Sequence, residues 1–192
     1  MEKVINLING KIRTENKFNQ ITNNILSHPK FCGKTISLKL NLDIDLKNHW
    51  LAGFSDADAS FQIKILNRNK RVEIRLNFQI DQKKDVLLLL VKNFLGGNIG
   101  YRKSQNTYYF GSTSFGSAKN CINYFDYFHL LSCKHINYLK WRKAYIIIQN
   151  KDHLNKDGID KIIKLKGTMN RENSLCVASK QLTKDRFNET TV

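Results

Sequence analysis

Proline is almost missing from this chain, with one residue, Pro29, in 192. Cysteine is sparse, acid is outnumbered by base, and no apolar run is long. Each shortage excludes something. The most apolar run, VLLLLV at 86–91, falls far short of the roughly 20 residues a spanning helix needs, so a membrane role is not expected. Cys32, Cys121, Cys133 and Cys176 form no C-x-x-C pair, and none of the five His stands at ligand spacing from a Cys. That pattern argues against structural zinc and predicts reduced, mostly buried thiols. The opening MEKVINLINGKIR lacks the basic-then-apolar layout of a secretory signal and the Arg/Ser richness of a transit peptide, so no import address is expected there. The 16 Asp and Glu face 32 Lys and Arg, a formal charge of +16. An excess this large in a short chain calls for a polyanionic partner, nucleic acid first, because neutralised phosphates release counterions.

What is present organises into three stretches. A hydrophobic fraction of 41% suffices for a real core. Residues 1–45 read as a helix plus linker, with Phe18, Ile21, Ile25 and Leu26 at helical spacing and Pro29 and Gly33 interrupting them. Residues 46–169 read as the main domain, and 170–192 as a polar tail. Within the domain a helix is predicted from Leu46 to about Asp58. Two strands follow. Phe61, Ile63 and Ile65 alternate with Ser60, Gln62 and Lys64. Val72, Ile74, Leu76, Phe78 and Ile80 alternate with Arg71, Glu73, Arg75, Asn77 and Gln79. This is the signature of an antiparallel sheet with one buried face. A helix with Asp85 in its first turn ends at Gly96-Gly97. A second hairpin turns near 104–106, and helical patterns cover 117–128, 135–149 and 155–167. The order is that of an α+β domain.

The polar strand face concentrates forked donors and amides, with Glu73 its only acid. Such side chains read base edges, and a twisted β-ribbon can enter the major groove. Asp56 and Asp58 lie in a helix's last turn, where the macrodipole disfavours carboxylates. A divalent cation beside a phosphate would remove that penalty; a solvent-exposed acidic helix end is the plainer alternative. Gly53 and Ala57, four apart and next to Ala52, form a small-residue face. It suits either the close approach of a second backbone or packing on the chain's own sheet.

LAGFSDADA, Leu51 to Ala59, resembles the LAGLIDADG motif of homing endonucleases and group I intron maturases. The resemblance runs to about Met169 through FQIDQKKD and CKHINYLKWRKAY. It implies an αββαββα domain whose four-stranded antiparallel sheet forms a DNA-binding saddle, and motif helices packed about a pseudo-twofold axis through Ala52, Gly53, Asp56 and Ala57. It implies Asp58 as the metal-binding acid for Mg²⁺ or Mn²⁺, assisted by the carbonyl of Ala59, with Asp56 fixing the helix end. Gln82 matches the active-site polar residue that orients the water network, and Lys134 the peripheral basic residue near that water. Ser60, Gln62, Lys64, Arg71, Glu73, Arg75, Asn77, Gln79, Arg102 and Lys103 become the base-reading surface. The activity implied is site-specific cleavage of double-stranded DNA; the alternatives are an RNA-binding splicing cofactor for a group I intron, or an inactive fragment. Two departures stand out. The motif's last glycine is Ala59, whose methyl is expected to strain the metal-binding carbonyl, and only one motif is present. Either the chain pairs with itself or a preceding repeat is missing, and VINLINGKIRTENKFNQITNNI resembles the end of such a repeat with its linker. Richness in Asn, Lys and Ile points to an AT-rich organellar genome, hence the mitochondrion.

Overall fold

The computed structural model describes residues 2–31, 36–68 and 71–169, with the side chain of Arg71 outside the description. The polar tail and the centre of the first hairpin loop also lie outside it. At the N-terminus the single expected helix is instead two, α1 (Glu2–Ile8) and α2 (Glu15–Ile21), followed by a π-helical turn, Thr22–Leu26, and a 3₁₀ turn, Pro29–Phe31. Ile5 and Ile12 are buried, and Ile12 bridges Leu40 in parallel fashion. Asn9 ties the segment together by donating to the Ser37 carbonyl and accepting from the Lys39 amide.

The motif helix, α3, spans Trp50–Asp58 and starts four residues later than its apolar pattern predicts. Side-chain acceptors delay it. Asn41 takes the Asp43 amide, Asp43 the Asp45 amide, Asp45 the Lys47 amide and Asn48 the Trp50 amide, each at 2.8–2.9 Å. These successive local bonds compete with helical ones and hold the chain open up to residue 50. Leu46, placed in this run, is fully buried as a plug rather than a helical residue.

Strands β1 (Ala59–Arg68) and β2 (Arg71–Gln82) pair antiparallel, with Phe61 opposite Phe78 and Gln62 opposite Asn77. Helix α4 (Val86–Leu95) comes next, then β3 (Asn98–Arg102), a 3₁₀ turn at Lys103–Gln105 and β4 (Thr107–Ser112). The sheet order is β1-β2-β4-β3, antiparallel throughout. Glycine is required at the corner between α4 and β3. Gly97 has φ +98°, and a Cβ there would lie 2.7 Å from the Gly111 carbonyl oxygen. Helices α5 (Phe115–Tyr127), α6 (Lys134–Gln149) and α7 (Lys156–Thr168) complete the chain. The Ser114 side chain caps α5 by accepting from the Ser117 amide.

Helices cover one sheet face only. Phe61 lies at the centre, with the rings of Phe78, Phe125, Tyr138 and Trp141 at 5.0–5.6 Å. Ile63, Leu76, Ile80 and Phe110 extend this apolar layer against Leu88, Val91, Leu95 and Ala144. The cover stops short of the hairpin tip, so Val72, on the apolar side by pattern, is exposed. Of the thiols, Cys121 is free and buried, and burial pushes its pKa up to about 12. Cys133 departs from the expected reduced state. It occupies the exposed start of α6, not the core, and is disulfide-bonded.

Candidate active site and nucleic-acid interface

The uncovered sheet face and the end of α3 meet at one rim. There α3 passes without a loop into β1, so Asp58 is the last helical residue and Ala59 the first of the strand. Gln82 closes β2 and reaches across, its Nε2 donating to Asp58 Oδ2 at 2.6 Å. The exposed Asp58 keeps a second oxygen for another ligand. Ala59 has φ −92° and ψ 162°, ordinary extended backbone, and the residue is buried with the core. The strain expected of this Gly-to-Ala departure is therefore not present: the chain leaves the helix through a conformation any residue adopts.

The two aspartates of the motif diverge. Asp56 turns away from Asp58 and accepts from the amides of Leu131 and Ser132 and from the Ser132 hydroxyl, at 2.7, 3.3 and 2.6 Å. It thereby fastens the loop that delivers Lys134. The Lys134 ammonium donates to the carbonyls of Ser55 and Ala57, at 3.2 and 2.9 Å. A cation thus sits at the negative end of the α3 dipole, which offsets the cost of the acids there. Partial burial pushes the Lys134 pKa down, against the opposing pull of Asp56 and Asp58.

The small-residue face divides in two. Gly53 and Ala57 are exposed, and apart from the helix's own backbone and Gly53's chain neighbours no described atom lies within 4 Å of a Cβ built on Gly53. Ala52 belongs instead to this domain's own interior, which corrects its assignment to the helix–helix contact. It is 2% exposed, and its amide donates at 2.9 Å to the hydroxyl of Tyr124, which in turn donates to the Asn48 carbonyl. Positions 52 and 53 lie about 100° apart around a helix of 3.6 residues per turn, so they cannot share a narrow face.

The N-terminal segment reaches this rim from the other side. Trp50 donates to the Lys11 carbonyl, and the Arg13 guanidinium stacks 4.7 Å over the Trp50 ring while donating to the carbonyls of Asp43 and Asp45. Between segment and rim lies a cavity of about 580 Å³ whose lining includes Asp58, Gln82, Lys11, Lys17, Lys83 and Lys84. None of these four lysines belongs to the motif or to the alternating polar strand face. Lys83 and Lys84 directly follow Gln82, so adjacency could have flagged them; nothing local marks Lys11 or Lys17.

On the uncovered sheet face, Lys64 is exposed and Ser60 accepts from Gln62. Glu73 is taken up by Arg75 and Arg68, at 2.5 and 3.2 Å, and these partners hold its carboxyl below the usual range. Asn77 is the exception among the expected base readers. It is 4% exposed, lying beneath Gln62 and Gln79 and donating to both, so it supports its neighbours instead of presenting its own amide. Lys103 is exposed in the second hairpin turn. Arg102 stacks 4.6 Å over Tyr109 and pairs with Asp81 at 2.8 Å. Arg71 lies in β2, facing Arg68 across the hairpin.

Among the described residues no group of three or more His, Cys, Asp or Glu could hold a metal. The donor set still suits a hard cation at a shared site. Mg²⁺ keeps several waters and takes one or two carboxylates plus substrate phosphates, and Asp58 supplies one such carboxylate at an accessible rim.

Comparison with known proteins gives a consistent family. A model described as LAGLIDADG endonuclease matches residues 51–145. The "Uncharacterized cox1 intron-2 37.2 kDa protein" of Schizosaccharomyces pombe is 68% identical over 166 residues, covering 85% of this chain and 51% of that protein. "Probable intron-encoded endonuclease 2" of Neurospora crassa is 35% identical, over 63% of this chain and 27% of its own. A solved structure, "I-SmaMI bound to uncleaved DNA target in the presence of Calcium ions", superposes with TM-score 0.63 at 29% identity, covering 71% of this chain and 49% of that one. This chain thus spans about half the length, or less, of these three relatives. The agreement reaches from the motif helix through the sheet to the late helix that carries Lys134, and the chain belongs to the LAGLIDADG endonuclease family.

Proposed function

We propose that this chain is one half of a metal-dependent, site-specific DNA endonuclease encoded by a mitochondrial intron. The observation that carries the reading is the Asp58–Gln82 contact at the seam between motif helix and polar sheet face. A carboxylate there is oriented by an amide, has a lysine ammonium on the neighbouring helix-end carbonyls, and borders an open polar sheet face of the kind that enters a DNA groove. Cutting two strands takes two such acids. The open Gly53–Ala57 face supports a partner motif helix, supplied by a second copy or by a preceding repeat. The intron-derived names of the relatives and the Asn, Lys and Ile richness support the mitochondrial setting.

Asp58 would hold Mg²⁺ or Mn²⁺, with the Ala59 carbonyl nearby. Held there, such an ion would supply Lewis-acid stabilisation of phosphate charge and lower the pKa of its water. Gln82 fixes which carboxylate oxygen faces outward. Lys134, its ammonium held by the Ser55 and Ala57 carbonyls, places positive charge close to where negative charge develops on the phosphate. Lys64, Arg75, Gln62 and Gln79 supply phosphate and base-edge contacts from the saddle.

The test is cleavage, with Mg²⁺, of DNA carrying the uninterrupted intron insertion site. Wild type is expected to cut, and Asp58→Asn to lose at least about 10³-fold in rate while still binding. If neither protein cuts and both bind the intron RNA, the splicing-cofactor reading replaces this one.

A further inference from the structure

Besides Glu73, the open sheet face carries a second acid outside the catalytic arrangement. Asp81 follows Asn77 and Gln79 at the two-residue spacing of one strand face, and it is half-exposed. Its carboxylate receives Gln79 Nε2 at 3.2 and 3.0 Å and Arg102 Nη1 at 2.8 Å. The chain of bonds continues. Asn77 Nδ2 donates to the Oε1 of both Gln79 and Gln62, at 3.3 Å each, and Gln62 Nε2 donates to Ser60 Oγ at 3.0 Å. Five side chains on β1 and β2 and one on β3 are thus joined in a single file across the open sheet face.

The file has a direction, and Asp81 sets it. An ionised carboxylate only accepts. Gln79 must therefore turn its NH₂ toward Asp81 and its oxygen toward Asn77. Asn77 must donate, so Gln62 also presents its oxygen inward and its NH₂ to Ser60. Space below Asn77 is tight: a Cβ on Gly111 would lie 3.1 Å from Asn77 Oδ1. With Asn77 buried, the file is not free to rearrange one member at a time.

We infer that Asp81 is a specificity-positioning residue whose carboxylate fixes the donor–acceptor polarity of Gln79, Asn77 and Gln62, so that base preferences at separated positions of a DNA site are coupled through it. This rests on the DNA-binding reading above. Base discrimination by an amide depends on which end faces the base, so a reversal at Asp81 is transmitted to the base pair under Gln62. Asp81→Asn keeps shape and places a donor where only an acceptor stood. It also releases Arg102.

The experiment is selection of the full chain, wild type and Asp81→Asn, on a randomised duplex library at fixed salt. The expected result is a base preference altered about tenfold or more at two or more separated positions, measured relative to each protein's own bulk library affinity, which is expected to rise as Arg102 is released. Adding Gln62→Ala should abolish the change at the position remote from Asp81 and leave the nearer one. A change confined to one base pair, or the same two-position change in the Gln62→Ala background, overturns the inference alone. A wild type that enriches no sequence overturns the DNA-binding reading and the inference with it.

Discussion

The two faces of the one sheet obey different rules although the same strands supply both. On the covered face, side chains touch apolar neighbours on every side. Phe61 meets four aromatic rings, and removing one atom group there leaves a hole. On the open face, side chains are held by directed bonds to one or two partners, as Glu73 is by Arg75 and Asp81 by Arg102. Water can replace those partners at little cost. The covered face therefore carries stability, and the open face is left for the recognition proposed above. Substitutions should separate the two.

Phe61→Ala tests the covered face hardest. It should lower unfolding free energy by about 3–5 kcal/mol in urea titration, and a loss below about 1 kcal/mol would show that the helices do not pack as described. Tyr124→Phe comes next, because it strips the Ala52 amide and the Asn48 carbonyl of their shared hydroxyl. A cost of about 1–3 kcal/mol is expected. The same residue gives a pH signature. Burial raises the Tyr124 pKa from 10.0 to about 12. The folded state then holds that proton more tightly than the unfolded chain, so its contribution is complete below pH 10 and is lost as pH rises toward 12. Urea midpoints at pH 9 and 11.5 should fall more steeply for wild type than for Tyr124→Phe. The open face gives the smallest effects on folding. Lys64→Ala should leave stability within about 0.5 kcal/mol while reducing the slope of log affinity against log salt by about 1. Arg75→Ala should reduce that slope less, because Glu73 already occupies its guanidinium.

The same contrast explains what could be read from the sequence. Period-2 alternation placed Phe61, Ile63, Leu76, Phe78 and Ile80 inside, and the motif located Asp58 at the junction of helix and strand. Burial depends mainly on which face a residue takes, so pattern suffices. The fate of each polar residue depends on its neighbour across the strand, which pattern does not contain. Asn77 looked like a base reader and lies beneath two glutamines, because register sets Gln62 opposite it. Asp81 was passed over although it continues the Asn77–Gln79 alternation, because its importance comes from Arg102, 21 residues away. Ala52 was grouped with Gly53 by size, whereas helical phase puts it in the core. The late start of α3 was hidden because a run of Asp and Asn accepts backbone hydrogen bonds that an apolar count ignores.

The central claim is that Asp58, held by Gln82 at the seam of the two faces, receives the catalytic ion. Anomalous diffraction from crystals grown with duplex DNA and Mn²⁺ tests it most directly. The account predicts a manganese peak against the Asp58 carboxylate that disappears in Asp58→Asn. A peak that persists in that variant, or one bound elsewhere on the saddle with the Asp58 carboxylate free, would contradict it.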